Sequence, residues 1–186
     1  EGVLLPDRPV FREVQKHQHR QRVENRGPER LGSLLVLDVD RGDQVHDAFL
    51  EFGDSQTVAV CDLRDGYLDL AANKSRGTPK RYKEYNKLLE DKDVDAVAIA
   101  TPDHWHALQF IDACNAGKDV YVEKPFSLTV HEGGKMVEAA DRTRRIVQVG
   151  LQRGSSKMLQ ETAEFIRSGG IGQVTVAKGF HLQNEW

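Results

Sequence analysis

From residue 34 onward, short apolar runs recur along the chain, each separated from the next by an amphipathic stretch long enough for a helix. Leu34–Leu37, Thr57–Cys61, Ala96–Ala100, Asp119–Val122 and Ile146–Val149 read as strands, and Val174–Ala177 reads as one more. Ala96–Ala100 is apolar at every position, which a strand tolerates only when both faces of its sheet are covered. Helical spacing predicts helices over Asp43–Phe52, Arg64–Asn73, Tyr82–Glu90, His106–Ala116, His131–Arg142 and Ser156–Arg167. Strand alternating with helix through short connections specifies an α/β fold, a Rossmann-like doubly wound parallel sheet.

Residues 1–33 read differently. Arg8, Arg12, Lys16, Arg20, Arg22, Arg26 and Arg30 alternate with acidic residues and with few apolar ones, so this arm has little surface to bury and is expected to be disordered. The organisation expected is therefore an atypical arm over 1–33, a dinucleotide-binding domain over 34–150, and the beginning of a second α/β domain over 151–186. Twenty-six basic residues against 29 acidic ones leave a charge of −3, which offers no field for nucleic acid. No apolar run is long enough to span a membrane. Two widely spaced cysteines, Cys61 and Cys114, form neither a disulfide framework nor a zinc motif, which fits a reducing, cytoplasmic setting.

In open parallel sheets, ligands gather beyond the carboxyl ends of the strands. Three strand ends carry chemistry. Asp62 closes the second run, twenty positions after Gly42, where a carboxylate can accept both ribose hydroxyls of an adenosine and repel a 2′-phosphate. A helix-capping aspartate is the alternative. Thr101-Pro102-Asp103-His104-Trp105-His106 follows the third run and reads as a turn, with a hydroxyl, an indole and two imidazoles able to line a flat ring. His-x-His beside Asp103 could also be a metal cluster, but no third ligand is evident, and no metal is expected. Glu123-Lys124-Pro125 ends the fourth run. A lysine at that edge can move a proton, and Pro125 holds Lys124 extended and permits a cis bond. A surface lysine in a turn is the plain alternative.

The segments ATPDHWH, AGKDVY and EKP at their spacing here, followed by RIVQVGLQRGSS and IRSGGIGQVTVAKGFHLQNEW, closely resemble the Gfo/Idh/MocA oxidoreductases, from about Arg41 to Trp186. The resemblance implies an NAD-dependent oxidoreductase (NADP less so) acting on a sugar, cyclitol or glycoside alcohol. The alternatives are NAD-dependent glycoside hydrolysis and a non-catalytic nucleotide-binding module. By resemblance Lys124 is the catalytic lysine of the EKP motif, and Glu123 and Pro125 shape the cofactor pocket. Thr101, Pro102 and His106 belong to the cofactor-binding motif, and Gln152 falls on the nicotinamide side. Members of the family are often homo-oligomers.

The chain departs from that pattern at both ends. The phosphate loop normally carries GxGxxG, whose glycines let backbone approach the pyrophosphate. Here Leu37-Asp38-Val39-Asp40-Arg41-Gly42 stands in its place, with only the last glycine kept. Apolar side chains at 37 and 39 and carboxylates at 38 and 40 predict that the chain as written binds NAD weakly or not at all and turns over no sugar. The expectation is that residues before Arg41 come from a shifted frame or a mis-called start, and that Trp186 falls where the substrate domain would begin.

Overall fold

The computed structural model describes residues 32–37, 39–52, 55–151, 154 and 156–180. Residues 1–31, Asp38 and Gln152 lie outside them. Two compact units divide between Gly150 and Leu151.

In the first unit, strands and helices alternate: β1 (Gly32–Leu37), α1 (Val39–Phe52), β2 (Ser55–Cys61), α2 (Asp65–Lys74), β3 (Lys80–Tyr82), α3 (Tyr85–Leu89), β4 (Ala96–Ile99), α4 (Asp103–Asn115), β5 (Asp119–Glu123), α5 (Val130–Thr143) and β6 (Val147–Gly150). The six strands form one sheet in the order β3-β2-β1-β4-β5-β6, and every pairing is parallel. The order reverses between β1 and β4, which makes the carboxyl ends of these two strands and their neighbours the place for a ligand.

The expectation that β4 is covered on both faces holds, since Val97, Ala98 and Ile99 are all buried. Leu88, Ile99, Phe110, Val122 and Met136 belong to one core that joins the central strands to α3, α4 and α5. The Phe110 ring meets the Phe126 ring edge-on at 5.7 Å, a preferred aromatic geometry. At the amino end of β5 the Lys118 ammonium is itself buried. It donates to the Asp91 and Val94 carbonyls at 2.6 and 2.8 Å, so it closes the far end of the sheet rather than serving a ligand. Burial holds this amine below its ordinary range. Thr129 starts α5 with a capping box: its hydroxyl accepts from the Glu132 N–H at 3.2 Å, and the Glu132 carboxylate accepts from the Thr129 N–H at 2.9 Å.

Four sequence expectations need correction. The first strand begins at Gly32, two residues inside the segment assigned to the arm, because pairing with β2 from Ser55 extends it backwards. The helix expected over Tyr82–Glu90 divides: Lys80–Tyr82 pairs with β2 as the edge strand β3, and only Tyr85–Leu89 is helical. Edge pairing is a non-local contact that helical spacing cannot register. The supposed turn over Thr101–His106 is helix from Asp103 onward. Pro102 occupies the N-cap at φ −55°, where its missing N–H is no loss, and Asp103 sits favourably at the positive end of the helix dipole.

The fourth correction lies in the second unit. There α6 (Lys157–Arg167) is regular, but Val174–Ala177 forms no strand. A segment of mostly β-branched residues becomes a strand only by hydrogen bonding to another, and no described strand pairs with it. No described helix is long and apolar enough to cross a membrane.

Candidate functional site

The end of β2 brings Cys61 and Asp62 to the carboxyl edge. Asp62 Oδ1 accepts the Arg64 N–H at 2.7 Å, which tightens the turn into α2. Arg64 itself is the N-cap residue and receives no side-chain cap, so the carboxylate orders the turn ahead of the helix rather than capping it. The Asp62 N–H donates to the Tyr82 carbonyl at 3.2 Å, which fixes this turn to the edge strand. The Arg64 guanidinium lies over the Tyr67 ring, 4.5 Å from its centroid.

Between this turn and the end of β4 opens a cavity of about 380 Å³, lined among others by Asp62, Arg64, Tyr67, Thr101, Pro102 and Trp105. The Asp62 carboxylate in this lining can accept hydrogen bonds from hydroxyl groups, while an indole, a proline and the Arg64–Tyr67 pair offer flat surfaces to a ring. The Cys61 thiol beneath is buried, and burial with the neighbouring Asp62 charge pushes it up to about 12, so it stays protonated and inert.

At the end of β4 the Thr101 hydroxyl donates to Gln109 Oε1 at 2.7 Å, a contact within one turn-and-helix unit. His106 is almost wholly buried. Its Nε2 lies 2.7 Å from the Thr101 carbonyl oxygen and its Nδ1 lies 2.7 Å from the Pro125 carbonyl oxygen. The ring thus sits behind the site and joins its two turns, instead of lining it as the sequence leads one to expect.

The end of β5 presents Glu123, buried, and Lys124, exposed, followed by Pro125 across a cis peptide bond. Glu123 Oε2 accepts the Lys124 N–H at 3.2 Å, and Oε1 accepts the Tyr121 hydroxyl at 2.9 Å. Asp62, Thr101, Pro102, Glu123, Lys124 and Pro125 are therefore all brought to the carboxyl edge of one sheet. Gly42 falls within α1, which starts one residue after Asp38, and Gln152 lies outside the described residues. Among the described residues no three His, Cys, Asp or Glu side chains group to hold a metal ion.

Sequence spacing does not single out Arg64, Tyr67, Gln109 or Tyr121 as parts of the site. Tyr121 does carry a signal: it stands two positions before Glu123, and alternate residues of a strand share a face. The others depend on how loops from different strands converge.

Residues 40–151 match the model of an oxidoreductase family with an NAD-binding Rossmann fold, Gfo/Idh/MocA. Inositol 2-dehydrogenase of Salmonella typhimurium (strain LT2) is 35% identical over 127 residues, covering 68% of this chain and 38% of that protein. A glycosyl hydrolase family 109 protein of Shewanella sp. (strain MR-4) is 30% identical over 145 residues, covering 73% of this chain and 31% of its own. Among solved structures, scyllo-inositol dehydrogenase from Lactobacillus casei with bound NAD(H) and scyllo-inositol superposes with a TM-score of 0.71 at 21% identity, over 78% of this chain and 44% of that one, a likeness of fold. The chain spans less than half the length of these relatives. By its sequence match, supported by a sheet order and strand-end chemistry that fit it, the chain belongs to the Gfo/Idh/MocA family of oxidoreductases.

Proposed function

We propose that this chain carries the NAD site and the proton-transfer lysine of a dehydrogenase acting on a cyclitol or sugar alcohol. The observation that supports this most is the convergence of Asp62, Thr101 and Lys124 on one edge of the sheet, with the adenosine-sized cavity beside the first two. Asp62 would accept the adenosine ribose hydroxyls, and its charge would disfavour a 2′-phosphate, so NAD is preferred to NADP. Trp105 and Pro102 would cover the purine, and Thr101 would face the cofactor at the end of β4. NAD supplies the hydride acceptor. Lys124, exposed at the end of β5, would take the proton of the substrate hydroxyl as its carbon is oxidised. Glu123 and Pro125 would hold that lysine at the edge.

The alternating sheet, the EKP segment and the inositol dehydrogenase relative support the cyclitol reading. The family 109 relative supports a second one, in which the same oxidation begins glycoside cleavage. The two free, buried cysteines support a reducing, cytoplasmic setting, and the family resemblance supports a homo-oligomer.

Without the first two glycines of the phosphate loop, affinity should be low. Titration of the chain with NAD by calorimetry is expected to give a dissociation constant of roughly 10 μM to 1 mM, which corresponds to about −7 to −4 kcal/mol. NADP should bind at least about tenfold more weakly, and Asp62→Arg should narrow or reverse that ratio. No heat with either dinucleotide at millimolar concentration would overturn the assignment. Equal affinities would overturn the role of Asp62.

A further inference from the structure

Tyr121 sits on β5, two residues before Glu123, with its ring against Phe49 of α1 at 5.5 Å in an edge-on arrangement. Its hydroxyl donates to Glu123 Oε1 at 2.9 Å, and the other carboxylate oxygen accepts the Lys124 N–H. The register pairs Glu123 with Gly150 on β6. A methyl group at Gly150 would meet the Tyr121 hydroxyl and lie 2.7 Å from Glu123 Oε1. Glycine at 150 thus leaves room for the tyrosine and the carboxylate to meet over the β6 backbone.

We propose that Tyr121 is a positioning residue: its hydroxyl fixes the Glu123 carboxylate over Gly150 so that the carboxylate in turn fixes the backbone of Lys124. The inference rests on the reading of Lys124 as the proton-transfer lysine. Three physical points support it. Glu123 is buried, and a buried carboxylate keeps its orientation only while donors hold its oxygens. The phenol is constrained by packing on Phe49 and by the sheet beneath, so its donor is held in place before any ligand arrives. Burial, together with the Glu123 carboxylate, holds the phenol above its ordinary range, so the hydroxyl remains a donor through neutral and mildly alkaline pH. One end of this relay is set by packing between α1 and β5. The other is the backbone of the residue whose side chain meets the substrate.

The test compares the unaltered chain with Tyr121→Phe, which keeps the ring, and Glu123→Gln, which keeps an acceptor for the hydroxyl but gives up one carboxylate oxygen. Amide hydrogen exchange read by NMR needs no cofactor. In Tyr121→Phe the Lys124 amide should exchange about tenfold faster while Val120 and Val122, held by the strand ladder, keep their protection. Glu123→Gln should give the same local loss. Calorimetry should show NAD weakened by roughly three- to tenfold in Tyr121→Phe and AMP unchanged, because only the nicotinamide half approaches Lys124. A purely structural role would lower protection across β5 or weaken both ligands alike, and either result overturns the proposal. Unchanged Lys124 exchange in Tyr121→Phe overturns it as well, whatever NAD does. If the unaltered chain binds no NAD, the functional reading falls while the exchange measurement still decides the positioning role.

Discussion

The His106 ring holds two backbone turns at once: the Pro125 carbonyl oxygen lies 2.7 Å from Nδ1, and the Thr101 carbonyl oxygen lies 2.7 Å from Nε2. These turns follow β5 and β4, the two strands whose ends present Lys124 and Thr101. A side chain in the first turns of α4 therefore sets the distance between parts of the site that are far apart in sequence. Replacing the buried ring removes its N–H from between the two part-buried carbonyls and opens space in a packed interior. His106→Ala is expected to lower unfolding free energy by about 2–4 kcal/mol. Urea denaturation followed by circular dichroism measures this, and a loss under about 1 kcal/mol would show that the turns hold without the ring.

Gly150 makes a second cross-strand prediction. Gly150→Ala forces its new methyl group against the Tyr121 hydroxyl and the Glu123 carboxylate, and overpacking of this kind costs about 1–3 kcal/mol. Combining it with Tyr121→Phe removes one of the colliding atoms. A double-mutant cycle on stability should then show the pair costing less than the sum of the single changes. Additive costs would mean that the methyl group is accommodated by movement of β6 instead.

The capping box of α5 can be tested by a single atom group. Thr129→Ala removes the acceptor of the Glu132 N–H and should destabilise the chain by about 1 kcal/mol, whereas Thr129→Ser should be close to neutral. Thermal unfolding of the two variants side by side distinguishes capping from mere loss of a methyl group.

Alkaline pH should weaken the fold through its two thiols. Burial pushes Cys61 up to about 12 and Cys114 up to about 11, from an ordinary value near 9.0. Below pH 9 both states keep these protons and the thiols add no pH dependence. Above it the unfolded chain loses them first, so stability falls as pH rises through the folded values. At pH 10 the loss relative to pH 8 should be about 1 kcal/mol per thiol, read by urea denaturation at the two pH values. The Cys61→Ala, Cys114→Ala chain should lose most of that slope.

Strand ends are legible in the sequence because each depends on local signals. Ala96–Ala100 is apolar throughout, Pro102 stops the strand that precedes it, and Pro125 fixes the backbone after Lys124. Those local signals suffice to put Asp62, Thr101 and Lys124 at the carboxyl edge of the sheet. The division of Tyr82–Glu90 into strand and helix is not legible, because β3 exists only by pairing with β2. Val174–Ala177 shows the converse, a segment with strand-forming residues and no described partner to make it one.

The sequence by itself determined the parallel sheet, its crossover helices and the residue types at each strand end, since apolar periodicity and proline act within a few residues. Tertiary structure alone decided what those residues do for one another. That His106 braces two turns rather than facing the cavity, and that Tyr121 meets Glu123 over a bare Gly150, depend on strands β4, β5 and β6 lying side by side. Contacts between neighbouring strands follow from register, and register is set by the packing of the whole sheet.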